Sequence, residues 1–590
     1  MSTTALVKPL SKLFGSSAFI VPDYQRTYAW ETRKTIDSRD HQIDDFWDDL
    51  YQAFVNYKSL KSTGKSPQEY YWGTLTLNKT LIQRQHNYIN YQEYSIVDGQ
   101  QRTITMMLLL SVIDRKLNHI IASLLMIGTE PRLKVGSLNK NTFLDLLNSS
   151  LTSPIRDLHL KTNQRLLDAI TFFDQKVGSM LSSDLKELLD YFLNTTIALE
   201  FDAGDDRLAT QAFLSLNDRG KPLTVLEKMK GFLSNYDSNY LGSSLTSSIN
   251  HAFSKVYTNL DQLNAVGDQE NLPYFRSFSD NDFLRLVYHY SAKNLIGKYT
   301  NCLCHNSRAT SSESLEFFRD TARLLIPSSN LRQMICDILC NMELVSDALD
   351  SIANQAKSSI RPDLLKLFRF LEINPNLIIC LVGAQINSHL SQDLVSELEN
   401  VDVRVFKVLG LNRIKPLHDA VLTKLRDRCN SHIISGLQGY RRWFAPDHNF
   451  RARIANLYGI AKDNYILWEY QKYIDPSFND LDTSLFDSVT VEHIFAQTPC
   501  ITLPGCGFSD ENDYSVSLHV AGNLSLLEKN SAASNLPPAS KAIHHAYKTS
   551  LIPDIKQLCK KISSLGSFEK KDILDRTNDF LAFSIKRWPT

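Results

Sequence analysis

Thr490-Val491-Glu492-His493-Ile494-Phe495-Ala496-Gln497 sets an acid and a histidine side by side, ahead of a loop rich in Pro and Gly. Beyond that loop come His519-Val520-Ala521-Gly522-Asn523-Leu524-Ser525-Leu526-Leu527, then Glu528-Lys529-Asn530, then Ser534-Asn535-Leu536-Pro537. The first two segments read as short strands and the last as the entry to a helix. Neighbouring strand residues point to opposite faces, so Glu492 and His493 reach one site only where the strand twists or turns.

Working outward, 590 residues exceed what one hydrophobic core sustains, and two to four domains are expected. A hydrophobic share of 43% against 22% charged residues is that of a globular chain and argues against extensive disorder. The first residues, MSTTALVKPLSKLF, lack the apolar core and cleavage site of a secretory signal. The apolar runs Ile104 to Ile113 and Ile120 to Ile127 are far shorter than the roughly 20 residues a bilayer needs, so they read as buried helix and no membrane association is expected. Nine scattered cysteines form no disulfide framework and suit a reducing cytoplasm. Cys500 and Cys506 lack the second pair that a structural zinc would require.

The formal charge is zero, yet between Val401 and Ile460 eleven Lys and Arg face four Asp, a local excess of +7. Such a surface suits either phosphate binding or plain solvation. Residues 16 to 100 hold strand-like stretches (SAFIV, YYWGTLTL, EYSIV), followed by an apolar helix from about Gln101 to Lys116. A strand TTIALEF and a helix containing DDRLATQAFLSLNDRG come next, and the first domain closes near residue 235. Helical periodicity broken by prolines fills the middle, and NYILWEYQKY leads into the C-terminal part. The expected organisation is a multidomain α+β chain divided as 1–235, 236–440 (a helical middle domain) and 441–590.

The C-terminal residue types fit phosphodiester hydrolysis. An imidazole titrating near neutrality takes a proton from water, a role open to His493. A hard divalent cation, Mg²⁺ or Mn²⁺, offsets phosphate charge and prefers carboxylate and amide oxygens, which Glu492 and Asn530 offer. The order His, Asn, Asn over strand, strand and helix is the HNH, or ββα-metal, pattern. The segment resembles the DUF1524 branch of that superfamily through Glu492-His493-Ile494, Gly522-Asn523-Leu524, Leu526-Leu527, Asn530, Lys541 and Tyr547, with Ala496 where the family has proline. The resemblance implies that His493 is the base, that Asn523 orients the hairpin and the base, and that Asn530 helps Glu492 hold the metal.

Three further motifs lie in the first domain: Val21-Pro22-Asp23-Tyr24-Gln25-Arg26-Thr27-Tyr28-Ala29-Trp30, Ile96-Val97-Asp98-Gly99-Gln100-Gln101-Arg102, and Phe213 to Leu223 (FLSLNDRGKPL), continued by Glu227 and Lys230. In the second, a strand ends in an Asp-Gly turn that opens a helix, gathering free N–H groups where Arg102 also reaches. Tyr28, Trp30 and Trp72 read as core aromatics. Together the motifs resemble the DUF262 domain, a relative of the ParB/sulfiredoxin-like α/β fold. That resemblance implies binding and hydrolysis of a nucleoside triphosphate (GTP, ATP or CTP) by Asp98, Gly99, Gln100, Gln101 and Arg102, with Tyr24, Gln25 and Arg26 completing the pocket.

DUF262 and DUF1524 in one chain resemble GmrSD-like, type IV modification-dependent restriction enzymes and the nuclease component of phosphorothioate-sensing phage defence. The resemblance implies a bacterial anti-phage endonuclease on double-stranded DNA, with nucleotide state gating the cut. The DNA would carry a glucosylated or hydroxymethylated base or a phosphorothioate backbone. One nuclease site per chain needs two protomers or two nicks to break a duplex, so a homo-oligomer is a possible form. Two other classes fit the same residues: a nucleotide-switched sensor whose HNH domain does not cleave, and an RNase acting in abortive infection.

Overall fold

The computed structural model describes residues 4–33, 41–64, 69–148, 154–204, 223–300, 303–326, 330–357, 360–387, 390–426, 430–529 and 533–590. The chain is multidomain, mostly helical, and forms two compact units. The first comprises Met1–Ala265, Phe278–Cys304 and Ala309–Asp350, the second Val266–Ser277, His305–Arg308 and Ser351–Thr590.

The first unit is built on a six-stranded mixed sheet. Its strands are β1 (Thr4–Pro9), β2 (Ser17–Ile20), β3 (Tyr70–His86) and β4 (Ile89–Asp98), then, after the hairpin β5 (Met126–Ile127) and β6 (Glu130–Pro131), β7 (Leu133–Lys134) and β8 (Thr196–Asp202). The order is β1-β8-β3-β4-β2-β7, with β3 antiparallel to β4 but parallel to β8. Asn87 and Tyr88 join β3 to β4 with φ of 48° and 63°, the two positive angles that a two-residue hairpin turn demands. All three stretches expected to be strands before residue 100 are strands, as is TTIALEF.

At the end of β4 the chain turns through Gly99 into the Gln100–Lys116 helix. Gly99 has φ 91°, and a β-carbon there would lie 2.9 Å from Leu75 Cδ1 and 3.2 Å from the Thr74 carbonyl oxygen. Only glycine accepts both the left-handed backbone and the close strand. The helix is apolar on every face because it is surrounded: Ile104, Met106 to Leu110, Val112 and Ile113 are all buried. That enclosure explains the first long apolar run. The second departs from expectation, since Ile120 is exposed and the run contains only a one-turn helix, Ala122–Leu125, before β5. Asn118 and His119 adopt positive φ, and the Asp114 carboxylate accepts the Ile121 N–H at 2.7 Å, so the chain turns before a second helix can extend. Tyr28 and Trp72 are buried in the same core and Trp30 packs against it, as read.

The helix expected over 205–220 and most of the FLSLNDRGKPL motif lie outside the described residues. The chain next forms the Val225–Tyr240 helix, which starts in a capping box. Thr224 Oγ1 accepts the Glu227 N–H at 3.3 Å, and Glu227 Oε2 accepts the Thr224 N–H at 2.8 Å. Further helices include Thr246–Gln269, Asp280–Tyr299 and Asn330–Gln355.

Among the described residues, the regular structure of the second unit is helical apart from one antiparallel pair of strands, β9 (Val489–His493) and β10 (Leu524–Glu528), with His493 opposite Leu524 and Glu492 opposite Ser525. NYILWEYQKY falls within the Asp463–Ile474 helix, whose Trp468 is fully buried. The basic stretch divides. Arg404 is buried and donates to the carbonyl oxygens of Ala445 and Trp588 as well as to Asp447. Arg441 is paired with Glu397, and Lys407 donates to the Glu372 carbonyl oxygen. These three cations hold the fold together, while Arg442, Arg451 and Arg453 remain on the surface. Among the described residues, no helix is long and apolar enough to cross a membrane.

Candidate functional site

β9 sends Glu492 and His493 in opposite directions, as alternation in a strand requires. Glu492 turns inward. Its Oε1 accepts from Lys541 Nζ at 2.5 Å and from the Tyr547 hydroxyl at 3.0 Å, and Lys541 Nζ also donates to the His493 carbonyl oxygen at 2.6 Å. Lys541 is fully buried on the Pro538–Ile543 helix, so the network ties that helix to the end of β9. Burial and the neighbouring carboxylate push the Tyr547 hydroxyl pKa far up, which keeps it a neutral donor.

His493 turns the other way, into a niche rimmed by exposed Tyr458, Gln497 and His519. Its Nε2 lies 3.3 Å from His519 Nδ1 and its Nδ1 lies 3.5 Å from Gln497 Nε2. Tyr458 stacks on His519 (centroids 4.8 Å apart, planes at 10°) and meets His493 edge-on at 4.5 Å, fixing both rings. Burial, then the charges of His519 and Lys541, push the His493 pKa down to about 4. The ring is therefore neutral near pH 7, a form able to accept a proton. His519 escaped the sequence reading as a functional residue; its position three residues before Gly522 was the only signal available.

Asn523 is buried behind this niche. Its Oδ1 accepts the Phe495 N–H at 2.8 Å and its Nδ2 donates to the carbonyl oxygens of Phe495 at 3.2 Å and Leu518 at 2.9 Å. The amide thus joins the ends of the long loop directly behind His493. The Tyr514 hydroxyl holds the same loop through the Ala496 carbonyl oxygen at 2.6 Å, at the position where the family has proline. Gly522 sits against the Lys570–Arg587 helix, and a β-carbon there would lie 2.0 Å from the Ile573 carbonyl oxygen and 2.7 Å from the Thr577 nitrogen. Gly522→Ala is expected to cost about 1–3 kcal/mol by overpacking against backbone that cannot move away. A urea-unfolding midpoint equal to wild type would refute that contact. Asn530 lies outside the described residues.

In the first unit, the first and second motifs lie against each other, Asp98 feeling the charges of Arg26 and Arg102 and Gln25 Nε2 lying 3.5 Å from the Val97 carbonyl oxygen. Gln101 is buried and staples the first motif, its Oε1 accepting the Ala29 N–H at 2.8 Å and its Nε2 donating to the Thr27 carbonyl oxygen at 3.2 Å. Arg102 folds back on β3, over the Trp72 ring and against Gly73, whose added β-carbon would lie 2.0 Å from Arg102 Nη1. Gln100 is buried, and burial raises the pKa of Asp98 against the pull of the Gly99 N–H, Arg102 and Arg26. Arg26 pairs with Glu227 at 3.2 Å. One helical turn further on, Lys230 Nζ lies 3.4 Å above the Tyr24 ring and donates to the Tyr24 carbonyl oxygen at 3.2 Å. Tyr24 and Gln25 border a cavity of about 170 Å³ that Lys230 also lines, whereas Asp98 to Arg102 are not among its lining residues.

Residues 10–234 match the family described as GmrSD restriction endonuclease, N-terminal domain, and residues 446–583 match GmrSD restriction endonucleases, C-terminal domain. The two matches cover well over half of the chain. No curated protein matches it. With both ends matched in the order that places the buried network of Glu492 and the niche of His493 inside the C-terminal match, the chain belongs to the GmrSD-like family of type IV restriction endonucleases, nucleases that act on DNA in phage defence.

Proposed function

We propose that the second unit cuts DNA with an HNH-type site in which His493 accepts the proton of the attacking water, and that nucleoside triphosphate bound by the first unit licenses the cut. The observation that carries this reading is the His493 ring, held in place by Tyr458 and His519 among the exposed side chains of Tyr458, Gln497 and His519. The β9–β10 pair, followed by the Pro538–Ile543 helix, supports a ββα arrangement. Exposed Arg451 and Arg453 lie shortly before Tyr458 in sequence and offer cations to a phosphate backbone. Asn523 acts as a positioning residue, since every hydrogen bond described for it goes to loop backbone.

A divalent cation, Mg²⁺ or Mn²⁺, is the cofactor that such a nuclease implies. Of the expected metal ligands Glu492 and Asn530, Asn530 lies outside the described residues and Glu492 Oε1 is engaged by Lys541 and Tyr547, on the face of the strand opposite His493. No step is therefore routed through a metal; what this chain supplies is a proton acceptor on a fixed ring. The division into 1–235, 236–440 and 441–590 is retained as a functional one, supported by family matches that end at 234 and resume at 446. The ParB/sulfiredoxin-like reading of the first part is supported by its mixed sheet and by the Gly99 turn from β4 into a buried helix.

Gating has a physical rationale, since an unrestrained nuclease would cut the host chromosome. The test is cleavage by the purified full chain with Mg²⁺ or Mn²⁺ on unmodified, glucosylated, hydroxymethylated, methylated and phosphorothioated DNA, each with and without GTP, ATP or CTP. Cutting of one modified DNA that depends on one triphosphate is the expected result. Equal cutting of all DNAs without nucleotide would remove both the gate and the modification specificity, and cutting of RNA alone would remove the DNA reading.

A further inference from the structure

The β3–β4 hairpin runs on beyond the sheet that carries it. β8 leaves β3 at Leu77 and β2 joins β4 only from Gln92 onward, so residues 83–91 form a two-stranded ribbon whose outer edges pair with no other strand among the described residues. Its register sets Gln83 against Gln92, Arg84 against Tyr91, Gln85 against Asn90 and His86 against Ile89. Opposed residues share a face and successive residues change face, so Arg84, His86, Ile89 and Tyr91 lie on one side and four carboxamides on the other.

The first side is anchored. Buried Arg84 donates to Glu93 Oε2 at 2.7 Å and to the carbonyl oxygens of Pro131 at 2.7 Å and Phe19 at 3.0 Å. Arg132 lies 4.9 Å over the Tyr91 ring, and His86 packs beside Gly128 in the β5–β6 turn, where an added β-carbon would lie 3.0 Å from its Nδ1. The ribbon is thus held in place before any ligand arrives, which lowers the ordering cost of binding. On the second side Gln92 is spent on the carbonyl oxygens of Thr80 and Ile82, while Gln83, Gln85 and Asn90 are exposed.

Each exposed carboxamide offers a donor and an acceptor in one plane, the pair that matches the N6 and N7 edge of adenine. A two-stranded ribbon is also the width that the major groove of duplex DNA, about 12 Å across, admits. Charge agrees with such a partner. Residues 70–92 contain Lys79 and Arg84 but no Asp or Glu, and Lys79 is exposed near the base of the ribbon. At the tip, exposed Tyr88 and Ile89 offer the apolar contact that thymine methyls accept.

We propose that this ribbon is the base-reading element of the first unit, entering the major groove of the DNA substrate with Gln83, Gln85 and Asn90 toward the base edges. This rests on the DNA-cleaving reading above and adds to it the residues that select where the enzyme engages. They take no part in hydrolysis.

The test uses the full chain and whichever DNA of the panel above wild type cuts, with fluorescence anisotropy for binding over a range of salt and sequencing of the cut ends. The triple variant Gln83→Ala, Gln85→Ala, Asn90→Ala alters exposed side chains only, so the fold is retained. It is expected to bind about tenfold or more weakly and to lose the base preference that wild type shows around its cuts. The salt slope should not change, because no phosphate-neutralising cation is removed. Wild-type affinity and cut pattern in the triple variant would overturn the role of the ribbon while leaving DNA cleavage in place. A Tyr88→Ser protein that turns from dimer to monomer and binds DNA as wild type does would overturn it too, making the ribbon a contact between two copies of the chain. A wild-type protein that cuts no DNA of the panel would overturn both readings.

Discussion

Replacing His493 with alanine is expected to lower single-turnover DNA cleavage by on the order of 10²–10⁴-fold, the range that a positioned proton acceptor contributes. The folded state should survive, because the β9–β10 register, the Asn523 loop staple and the Glu492 network are all made by other groups. The pH profile gives an independent check. With its pKa pushed down to about 4, His493 stays neutral through the range where an ordinary histidine titrates, so its contribution to the rate should persist below pH 6.5 and disappear only as pH falls through about 4. Stability follows the same sign. The unfolded chain protonates His493 near 6.5 and the folded chain near 4, so folding stability from this group is full above 6.5 and is lost as pH falls between those values. His519→Ala removes one of the groups that push the His493 pKa down and should move the acid limb upward. A His493→Ala protein that cuts as well as wild type would end the assignment of the base.

Lys541→Met is expected to destabilise the second unit by about 3–5 kcal/mol, the cost of leaving one partner of a buried ion pair uncompensated. The variant strands the Glu492 carboxylate beside Tyr547 and also removes a donor from the His493 carbonyl oxygen. Pairing it with Glu492→Gln should recover much of the loss, because neither charge then remains buried alone. Urea unfolding of the two single variants and the double variant measures the coupling. A single-variant cost below about 1 kcal/mol, the range of exposed pairs, would show that the ion pair is not buried as described. The distinction bears on catalysis. Activity lost by Glu492→Gln in proportion to lost folded protein marks a structural carboxylate, whereas activity lost from fully folded protein returns Glu492 to the cleavage chemistry.

Local sequence was sufficient for several features. Alternation and β-branching specified β2, β3, β4, β8 and β9, and an Asp-Gly step before an all-apolar run specified the turn into the buried helix. Strand alternation also foretold that Glu492 and His493 would diverge. Each of these depends on neighbours within a few residues, which is the range over which backbone sterics and side-chain direction act. The Ile120–Ile127 run defeated the same reasoning because a short apolar run suits a strand or a helix equally, and the turn before it is held by Asp114, seven residues upstream of Ile121 and outside the run itself.

What the sequence by itself determined is the family, the existence of two chemically loaded ends, and the residue types gathered at each. Only the tertiary structure decided which of those residues face one another. Lys541 takes Glu492 from a distance of 49 positions, His519 reaches His493 across 26, and Lys230 reaches Tyr24 across 206. It likewise separated the basic residues that brace the fold, such as Arg404 and Arg441, from those left on the surface. The reason is that a charge or an imidazole carries no local record of its partner. Its role is fixed by whichever group the folded chain brings within hydrogen-bond reach, and by how much water the packing around the pair removes.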